Sequence, residues 1–473
     1  MPLILGTNSI KDTGFDVANS LRFNDGSSDH LNRTPSSSGN RKTWTWSSWV
    51  KKSTIGAGYQ FLFSCTDAST STGSIGTNYD GDNKIYFRDD LISLNLTPNA
   101  VHRDTSAWYH IVVALDTTQS TASNRAKMYI NGTQVTSFAT ANYPNQDTDG
   151  TINLVSGSYV HRIGSYTASG NFFDGYLAEA VFIDGQALAP TSFGEFDEDT
   201  GIWKPKNVSG LTFGTNGFYL DFENSGALGN DAAGSNNFTV NNLTALDQSI
   251  DTCTNNFCTL NPLSADEMTF SNGNLDVDQA SSGPRSDDNA RGTIGVNSGK
   301  WYWETKLTGA TAPCVVGICF DELKMGSDLS GSTGVYAIQN ASATYAYRRE
   351  NGTSAETSGF PNPVANNIMN VAFDADNGKL YLGINGTYYN QAGATGNPAT
   401  GSNATFSSID TSFFWLPWIE SRGDNQQALM NFGSGTSYSI SSGNADGEGY
   451  GNFEYSVPSG YYSLCTKNLA EYG

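Results

Sequence analysis

The sequence is poor in the residues on which most metal centres and many active sites depend. It has four histidines, and its six cysteines form no Cys-x-x-Cys pair, so the pattern predicts neither a zinc site nor a histidine-based catalytic site. The motifs of serine hydrolases, zinc proteases and P-loop proteins are also absent. We therefore do not expect an enzyme of these classes.

Long apolar segments are missing as well. No apolar run approaches the roughly 18 residues of a membrane-spanning helix, and residues 1–14 lack the basic and apolar regions of a signal peptide. We expect a protein made in a reducing cytosol and not inserted in a membrane. In that compartment buried free thiols are favoured over a local disulfide between Cys253 and Cys258.

Positive charge is scarce. The chain has 25 Lys and Arg residues against 46 Asp and Glu, for a net charge of −21. Without a basic stripe it is not expected to bind nucleic acid or to adhere to an anionic membrane. The acidic excess favours solubility, and cation binding at loop carboxylates or adaptation to salty surroundings is the alternative interpretation.

The chain is rich in glycine, with 51 residues, and in aromatic side chains, which make up 12%. This composition suits short strands joined by tight turns, and no long segment repeats its apolar residues with the helical period of 3.6. A length of 473 residues exceeds one ordinary domain. We predict an all-β protein with two antiparallel, jelly-roll-like β-sandwich domains in tandem.

The clearest strand pair of the first half is Trp108–Asp116 followed by Lys127–Val135. The first run is apolar and β-branched, and the second contains Asn131-Gly132, a pair that favours the positive φ angles of a tight hairpin turn. Together with the strand Phe173–Ile183, these segments resemble the laminin-G-like, concanavalin A-like jelly roll of many lectins. In the neighbouring strand 43–52, alternation predicts one apolar face and a bulge at Trp49.

Four segments of the second half occur in the order expected of another two-sheet sandwich. They are the aromatic strand Lys300–Leu307, the buried strand Cys314–Asp321, the strand-turn-strand segment Asn370–Leu382, and Leu429–Gly433. This order resembles the SPRY domain. The resemblance implies a binding module whose ligands meet loops at one rim of the sandwich.

These resemblances and the Gly/Asn-rich composition between them predict five regions. They are an N-terminal extension (1–20), a laminin-G-like sandwich (21–206), a connector with one or more added strands (207–267), a SPRY-like sandwich (268–433) and a C-terminal extension (434–473).

One local pattern suggests catalysis. Glu195, Asp197 and Asp199 alternate as carboxylates do in concanavalin-type glucan hydrolases, where retaining chemistry needs two carboxyl groups about 5–5.5 Å apart. Here no apolar alternation surrounds the run, and glycine lies on either side of it. We interpret the segment as a solvated turn and predict that the protein is not an enzyme.

Laminin-G-like domains often hold calcium at the rim of the sandwich. The resemblance implies ligands among the loop aspartates Asp25, Asp29 and Asp174, with Asp80 and Asp82 as further candidates. Asp is also an ordinary turn residue because its side chain bonds the nearby backbone. No cofactor is predicted, and calcium is the one ion considered.

Exposed aromatic side chains are candidates for stacking on sugar rings. The tyrosines in or near predicted loops are Tyr59, Tyr79, Tyr143, Tyr159, Tyr166, Tyr345, Tyr347, Tyr388 and Tyr389. Of these, Tyr345, Tyr347, Tyr388 and Tyr389 lie in the loops that the SPRY resemblance indicates. Packing at a strand edge is the alternative role for each.

A laminin-G-like domain joined to a SPRY-like domain resembles structural and adhesion proteins of marine bacteriophages. The resemblance implies a virion surface protein, such as a capsid decoration, head fibre or tail-fibre tip, that binds host or environmental glycans. Its partners would be other virion proteins, surface glycans and further copies of the chain. A bacterial cell-surface lectin or adhesin and a glycoside hydrolase of concanavalin-like fold remain the alternatives.

Overall fold

The computed structural model divides the chain into two compact units, Thr13–Thr254 and Asn255–Gly473, the second together with the described residues before Thr13. Strands dominate both units, which confirms the all-β prediction. The structure describes residues 4, 11–56, 58–67, 72–78, 81–155, 159–279, 288–308, 314–326, 329, 332–340, 346–357, 359–421 and 427–473.

The described part of the first unit consists of strands, one α-helical turn and several short 3-10 turns. Its elements are β1 (Ser20–Phe23), β2 (His30–Arg33), β3 (Thr43–Lys52), β4 (Gln60–Thr66), β5 (Thr72–Thr77), β6 (Tyr86–Asp89), β7 (Leu94–Pro98), β8 (Trp108–Asp116), α1 (Ala122–Arg125), β9 (Ala126–Ile130), β10 (Thr133–Gln134), β11 (Phe138–Asn142), β12 (Val160–Ile163), β13 (Ser165–Thr167), β14 (Gly170–Phe172), β15 (Gly175–Asp184), β16 (Gly194–Phe196), β17 (Trp203–Pro205), β18 (Phe218–Leu220), β19 (Thr239–Asn241) and β20 (Gln248–Ser249).

Two antiparallel sheets pack face to face in this unit. Sheet A has the order β10-β9-β8-β3-β15-β1-β20, with β18 also paired to β15, and sheet B has the order β11-β7-β6-β5-β4-β12-β2-β19. Trp44 and Trp46 from sheet A and Phe63 and Phe87 from sheet B share one fully buried core. The predicted hairpin joins β8 to β9 and continues through Asn131-Gly132, both of which have positive φ, into β10.

The bulge predicted at Trp49 is wrong. β3 pairs with β8 in unbroken register, and the irregularity lies in the other neighbour, β15, between Ala178 and Val181. Trp49 lies on the outer face of sheet A because its odd position alternates with Trp44 and Trp46. There it belongs to a second buried cluster, which we call the tryptophan layer. The cluster consists of Val17, Trp49, Trp108, Tyr176, Ala178 and Trp203.

Residues 207–254, predicted as part of a connector, are built into the first unit. Phe238 and Leu228 lie in its core, and the Asp231 carboxylate accepts hydrogen bonds from three backbone N–H groups, including that of Tyr219. At Gly229 an added Cβ would collide with the carbonyl oxygen of Phe238. Glycine here permits close backbone packing within a segment predicted from its composition as a connector.

The second unit contains the elements β21 (Leu260–Asp266), β22 (Met268–Ser271), β23 (Asp276–Gln279), β24 (Asp288–Gly292), β25 (Lys300–Leu307), β26 (Cys314–Phe320), β27 (Val335–Asn340), β28 (Ala346–Glu350), β29 (Thr353–Thr357), β30 (Ile368–Asp374), β31 (Lys379–Ile384), β32 (Thr387–Tyr389), β33 (Thr395–Gly396), β34 (Trp415–Ser421), β35 (Gln427–Asn431), β36 (Tyr462–Ser463) and α2 (Thr466–Tyr472). It is also a two-sheet sandwich.

Sheet C has the order β21-β24-β34-β26-β27-β28-β29, and sheet D has the order β22-β23-β35-β25-β30-β31-β32-β33, with β36 also paired to β25. Trp301 and Trp303 of sheet D and Val316 and Ile419 of sheet C share its core. The segment predicted as a C-terminal extension contributes β36, α2 and buried side chains to this unit.

The six cysteines are free thiols, five of them buried and Cys253 half-buried. Among the described residues, no helix has the length and apolar composition required to cross a membrane.

Candidate functional site

A cleft opens on the face of sheet B that points away from the core. Successive side chains of a strand alternate between faces, so where Phe87 of β6 enters the core, its neighbours Tyr86 and Arg88 line the cleft. The cleft has a volume of about 210 Å³. We call it the tyrosine cleft, and its lining consists of Tyr59, Phe61, Thr72, Ser74, Tyr86, Arg88, Asp90, Tyr166 and Asn171.

A bulge in β4 brings one ring into this cleft. The register of β4 with β5 shifts between Phe61 and Phe63, which leaves Leu62 as an extra residue. Leu62 and Phe63 both lie in the core. Without the extra residue, Phe61 and Phe63 would point to the same face of the sheet. The bulge at Leu62 changes this alternation, so Phe61 lies on the outer face while Phe63 lies in the core.

Aromatic rings form the floor of the cleft. The Phe61 ring contacts Tyr86 edge-on, with centroids 5.9 Å apart, and Tyr166 with centroids 4.9 Å apart. The Tyr86 hydroxyl lies over Gly76, where an added Cβ would collide with it. The missing side chain at position 76 therefore leaves room for the ring, and packing fixes the floor without a ligand.

The hairpin of β13 and β14 forms one wall and carries Tyr166 and Asn171. The Ser64 hydroxyl on β4 donates a hydrogen bond of 2.8 Å to the carbonyl oxygen of Ser165. The hydroxyl groups of Tyr166 and Thr72 lie 3.1 Å apart. These bonds hold the Tyr166 ring in a defined position at the edge of the cleft.

A cationic and an anionic side chain lie at the rim of the aromatic floor. Arg88 and Asp90 form a loose ion pair of 3.9 Å, and their side chains are 30% and 53% exposed. Such an exposed pair contributes about 1 kcal/mol at most to stability, so the rim retains charged donors and acceptors at low cost. The lining has one carboxylate among its described residues, whereas glycoside hydrolysis uses a pair.

The structure brings two of the predicted sugar-stacking tyrosines together, Tyr59 and Tyr166. Sequence reasoning missed Phe61, Tyr86 and Arg88. Tyr86 and Arg88 alternate with core residues along one strand, and this period-2 pattern was the available signal. Tyr79 and Tyr345 lie outside the described residues.

The predicted tyrosines of the second unit have other surroundings. Tyr388 is buried on β32, and burial raises its pKa well above the ordinary value. Tyr389 packs edge-on against Phe360, with centroids 5.9 Å apart. The Tyr347 hydroxyl lies 3.4 Å from a carboxylate oxygen of Glu356. Tyr347 is half-buried, and Glu356 lies opposite it on the neighbouring strand β29.

The predicted calcium candidates Asp25, Asp29 and Asp174 have different surroundings, and Asp80 lies outside the described residues. Both carboxylate oxygens of Asp29 accept hydrogen bonds, from the backbone N–H of Asn24 and the hydroxyl of Ser27. Asp174 is 4% exposed, and burial raises its pKa to about 7, which favours the neutral acid. Asp25 is exposed in a short 3-10 turn. No group of three or more His, Cys, Asp or Glu side chains in the described part of the chain is arranged to hold a metal.

The acidic run at 195–199 forms a turn between β16 and β17. Oδ1 of Asp197 accepts hydrogen bonds from the backbone N–H and hydroxyl of Thr200, which lower its pKa to about 2. Glu195 lies 3.6 Å from Lys206. Strand β16 ends at Phe196, so the three acids do not share one strand face as the hydrolase template requires.

Comparisons with known proteins agree with the first-half resemblance. Residues 25–191 match a family model described as the concanavalin A-like lectin/glucanases superfamily, which confirms that prediction for this region. No curated protein sequence matches the chain.

SPRY domains, which the second half was predicted to resemble, are among the structural matches. One is the SPRY domain of human HERC1, 14% identical with a TM-score of 0.28, where the match covers 36% of this chain and 96% of that domain. Another is the TRIM65 PSpry domain, 13% identical with a TM-score of 0.27, where it covers 37% of this chain and 89% of that one.

Proposed function

We propose that this protein is a non-enzymatic bacteriophage virion surface protein that adheres to host or environmental glycans through the tyrosine cleft. The observation that supports this most directly is the cleft itself, an aromatic floor ringed by polar side chains on the outer face of a concanavalin-type sheet. A capsid decoration, a head fibre or a tail-fibre tip would each present such a site.

The chemistry of the lining suits a sugar ring. The C–H faces of a pyranose pack on aromatic rings, and Tyr59, Phe61 and Tyr166 supply three. Ring hydroxyl groups both donate and accept hydrogen bonds, and Asn171, Asp90 and Arg88 supply complementary groups. Because the charges of Arg88 and Asp90 balance, the cleft favours an uncharged, hydroxyl-rich ligand.

Affinity per site is expected to be weak because the cleft, at about 210 Å³, is smaller than the pockets of about 300–1,000 Å³ that enclose most small ligands. Many copies on one particle would make weak sites effective, since linked binding events raise the effective concentration. This role requires association with other virion proteins and suits a homo-oligomer. It requires no cofactor, nucleic acid or membrane insertion, and it places the protein at the virion surface after synthesis in the host cytoplasm.

The glycan part is tested with the full chain on an array of bacterial and algal polysaccharide fragments, followed by calorimetry on the best ligand. Tyr166→Ala should weaken binding at least tenfold, which is about 1.4 kcal/mol. The matched control is Tyr347→Ala in the second unit, which should leave affinity unchanged. Equal affinity of wild type and Tyr166→Ala would contradict binding at the cleft.

The virion part is tested separately by mass spectrometry of gradient-purified phage particles from a culture that produces the protein. A high, fixed copy number per particle is expected, with hundreds of copies indicating the head and a few indicating a tail. Absence from the particles would contradict the virion role and leave the bacterial adhesin as the remaining binding function. Reducing-end release from β-glucans that disappears in Glu195→Gln would contradict the non-enzymatic role.

A further inference from the structure

A buried ion pair lies at the tryptophan layer on the outer face of sheet A. Nζ of Lys51 on β3 lies 2.7 Å from Oδ2 of Asp251, and the two side chains are 1% and 0% exposed. The indole Nε1 of Trp108 donates a hydrogen bond of 3.2 Å to the other carboxylate oxygen, Oδ1. The Lys51 ammonium also lies 5.7 Å from the centroid of the Tyr176 ring.

From this arrangement we propose that Lys51 and Asp251 form an intramolecular isopeptide bond after the chain has folded. The bond is an amide between Nζ of Lys51 and Cγ of Asp251. The site is independent of the tyrosine cleft and of the proposed glycan binding. It is a covalent modification of the chain by its own residues, and it needs no oxidant, metal or second protein.

The reaction balances within the pair. The ammonium of Lys51 passes a proton to Oδ2 of Asp251, the oxygen to which it is hydrogen-bonded, and the freed amine attacks Cγ. The C–N bond forms, the bond from Cγ to Oδ2 breaks, and Oδ2 leaves as water with a second proton from the nitrogen. Oδ1 stays as the amide oxygen.

Two features of the site favour this step. The nucleophile and the carboxyl group are held in contact by the fold, which removes the entropic cost of bringing them together. The Trp108 N–H is directed at Oδ1, on which negative charge develops as the amine adds.

The position of the bond explains what it would achieve. It connects the middle of sheet A to the segment after β20, across 200 residues of sequence. A cross-link over so long a loop restricts the unfolded chain as a disulfide does. The described cysteines form no disulfide, so an amide would supply a covalent link that reducing conditions do not break.

The experiment is mass spectrometry of the full-length folded protein after prolonged incubation. The intact mass should be lower than the sequence mass by one water molecule, and a protease digest should yield a branched peptide containing Lys51 and Asp251. Asp251→Asn should keep its own full sequence mass, because it lacks the carboxylate that accepts the proton of Lys51.

Lys51→Arg is the matched control, since arginine keeps the charge and the ion pair but does not act as a nucleophile. It should have its full sequence mass. A folded wild-type protein with the full sequence mass and separate Lys51 and Asp251 peptides would overturn the proposal, whether or not the variants fold.

Discussion

The two units use the outer faces of their sheets in opposite ways. On sheet B of the first unit, Tyr59 and Tyr166 border an open cleft. On sheet D of the second unit, Tyr302 and Tyr381 are fully buried beneath a layer that includes Phe453. Both faces are rich in tyrosine, so composition does not distinguish them. A tyrosine on an outer sheet face can meet a ligand only where no later segment of the chain covers it.

The cover of the second unit is anchored by a buried carboxylate. Glu304 on β25 accepts hydrogen bonds from the backbone N–H groups of Glu454 and Tyr455 at 3.0 and 2.9 Å and from the Tyr302 hydroxyl at 2.7 Å. Burial raises the pKa of Glu304 despite these bonds. In the tyrosine cleft the charged groups face solvent, and no comparable anchor draws a strand across them among the described residues.

The largest effect is expected from uncovering the second unit with Phe453→Ala. Phe453 is fully buried, and its ring contacts Tyr302 edge-on at 4.9 Å. Loss of a buried phenylalanine should lower the free energy of unfolding of this unit by about 3–5 kcal/mol, measured by denaturant titration. Val364→Ala, at a side chain 51% exposed, is the control and should change it by about 0.5 kcal/mol or less.

Glycan affinity should be unchanged in Phe453→Ala under conditions where both units are folded. A loss of less than about 1 kcal/mol would mean that the C-terminal segment covers sheet D only loosely. The outer faces of sheet B and sheet D would then differ only in how much of each face the chain covers.

A smaller, pH-dependent effect is expected at the covered face of the first unit. Glu179 sits in the β15 bulge with φ of 52°, is 7% exposed, and accepts a hydrogen bond of 2.8 Å from the Tyr219 hydroxyl. Burial raises its pKa to about 8, with Asp221 and Glu223 adding to the shift. The sequence does not reveal this bulge because Ala-Glu-Ala in a strand carries no turn signal.

Since the folded-state pKa is above the unfolded one, the stability that Glu179 contributes is fully present below about pH 4.5 and is lost as pH rises to about 8. Glu179→Gln retains the acceptor for Tyr219 and removes the titration. It should raise the free energy of unfolding above pH 8 by on the order of 3 kcal/mol and flatten its pH dependence. Identical pH profiles for variant and wild type would contradict an ionisable Glu179 in the fold.

The sequence was sufficient for the strands but not for the boundaries of the units. Alternation and Asn-Gly turns located β8, β9 and β15 because these signals are local. Residues 207–267 were predicted as a connector because Gly229 and its neighbours have linker composition, and the packing role of Gly229 appears only when Phe238 lies against it. The role of a glycine depends on which backbone lies next to it, and this is a long-range property.

The candidate site was predictable only in part for the same reason. Tyr59 and Tyr166 were named as exposed aromatics, but they lie 107 positions apart and meet through the β13–β14 hairpin. Phe61 reaches the cleft only because of a bulge at Leu62. Neither the meeting of Tyr59 with Tyr166 nor the bulge at Leu62 can be predicted from a short stretch of sequence.

A moderate effect is expected from closing the floor of the cleft with Gly76→Ala. The added Cβ would collide with the Tyr86 hydroxyl and with the carbonyl oxygen of Gln60. Such overpacking should lower the free energy of unfolding of the first unit by about 1–3 kcal/mol and weaken glycan binding, measured by denaturant titration and calorimetry. The control is Gly58→Ala, because no atom lies near the added Cβ at that position. Gly56→Ala is unsuitable because the φ angle of Gly56 is positive.

The smallest effect is expected from Asp90→Asn, which tests whether the cleft is built for an uncharged sugar. The Arg88–Asp90 contact is 3.9 Å and exposed, so the free energy of unfolding should change by about 0.5 kcal/mol or less. For a neutral glycan, affinity should change by about threefold or less, or about 0.6 kcal/mol, with little dependence on salt. Tighter binding that falls steeply with salt would instead indicate an anionic glycan held by Arg88, because removal of the Asp90 charge makes the rim more positive.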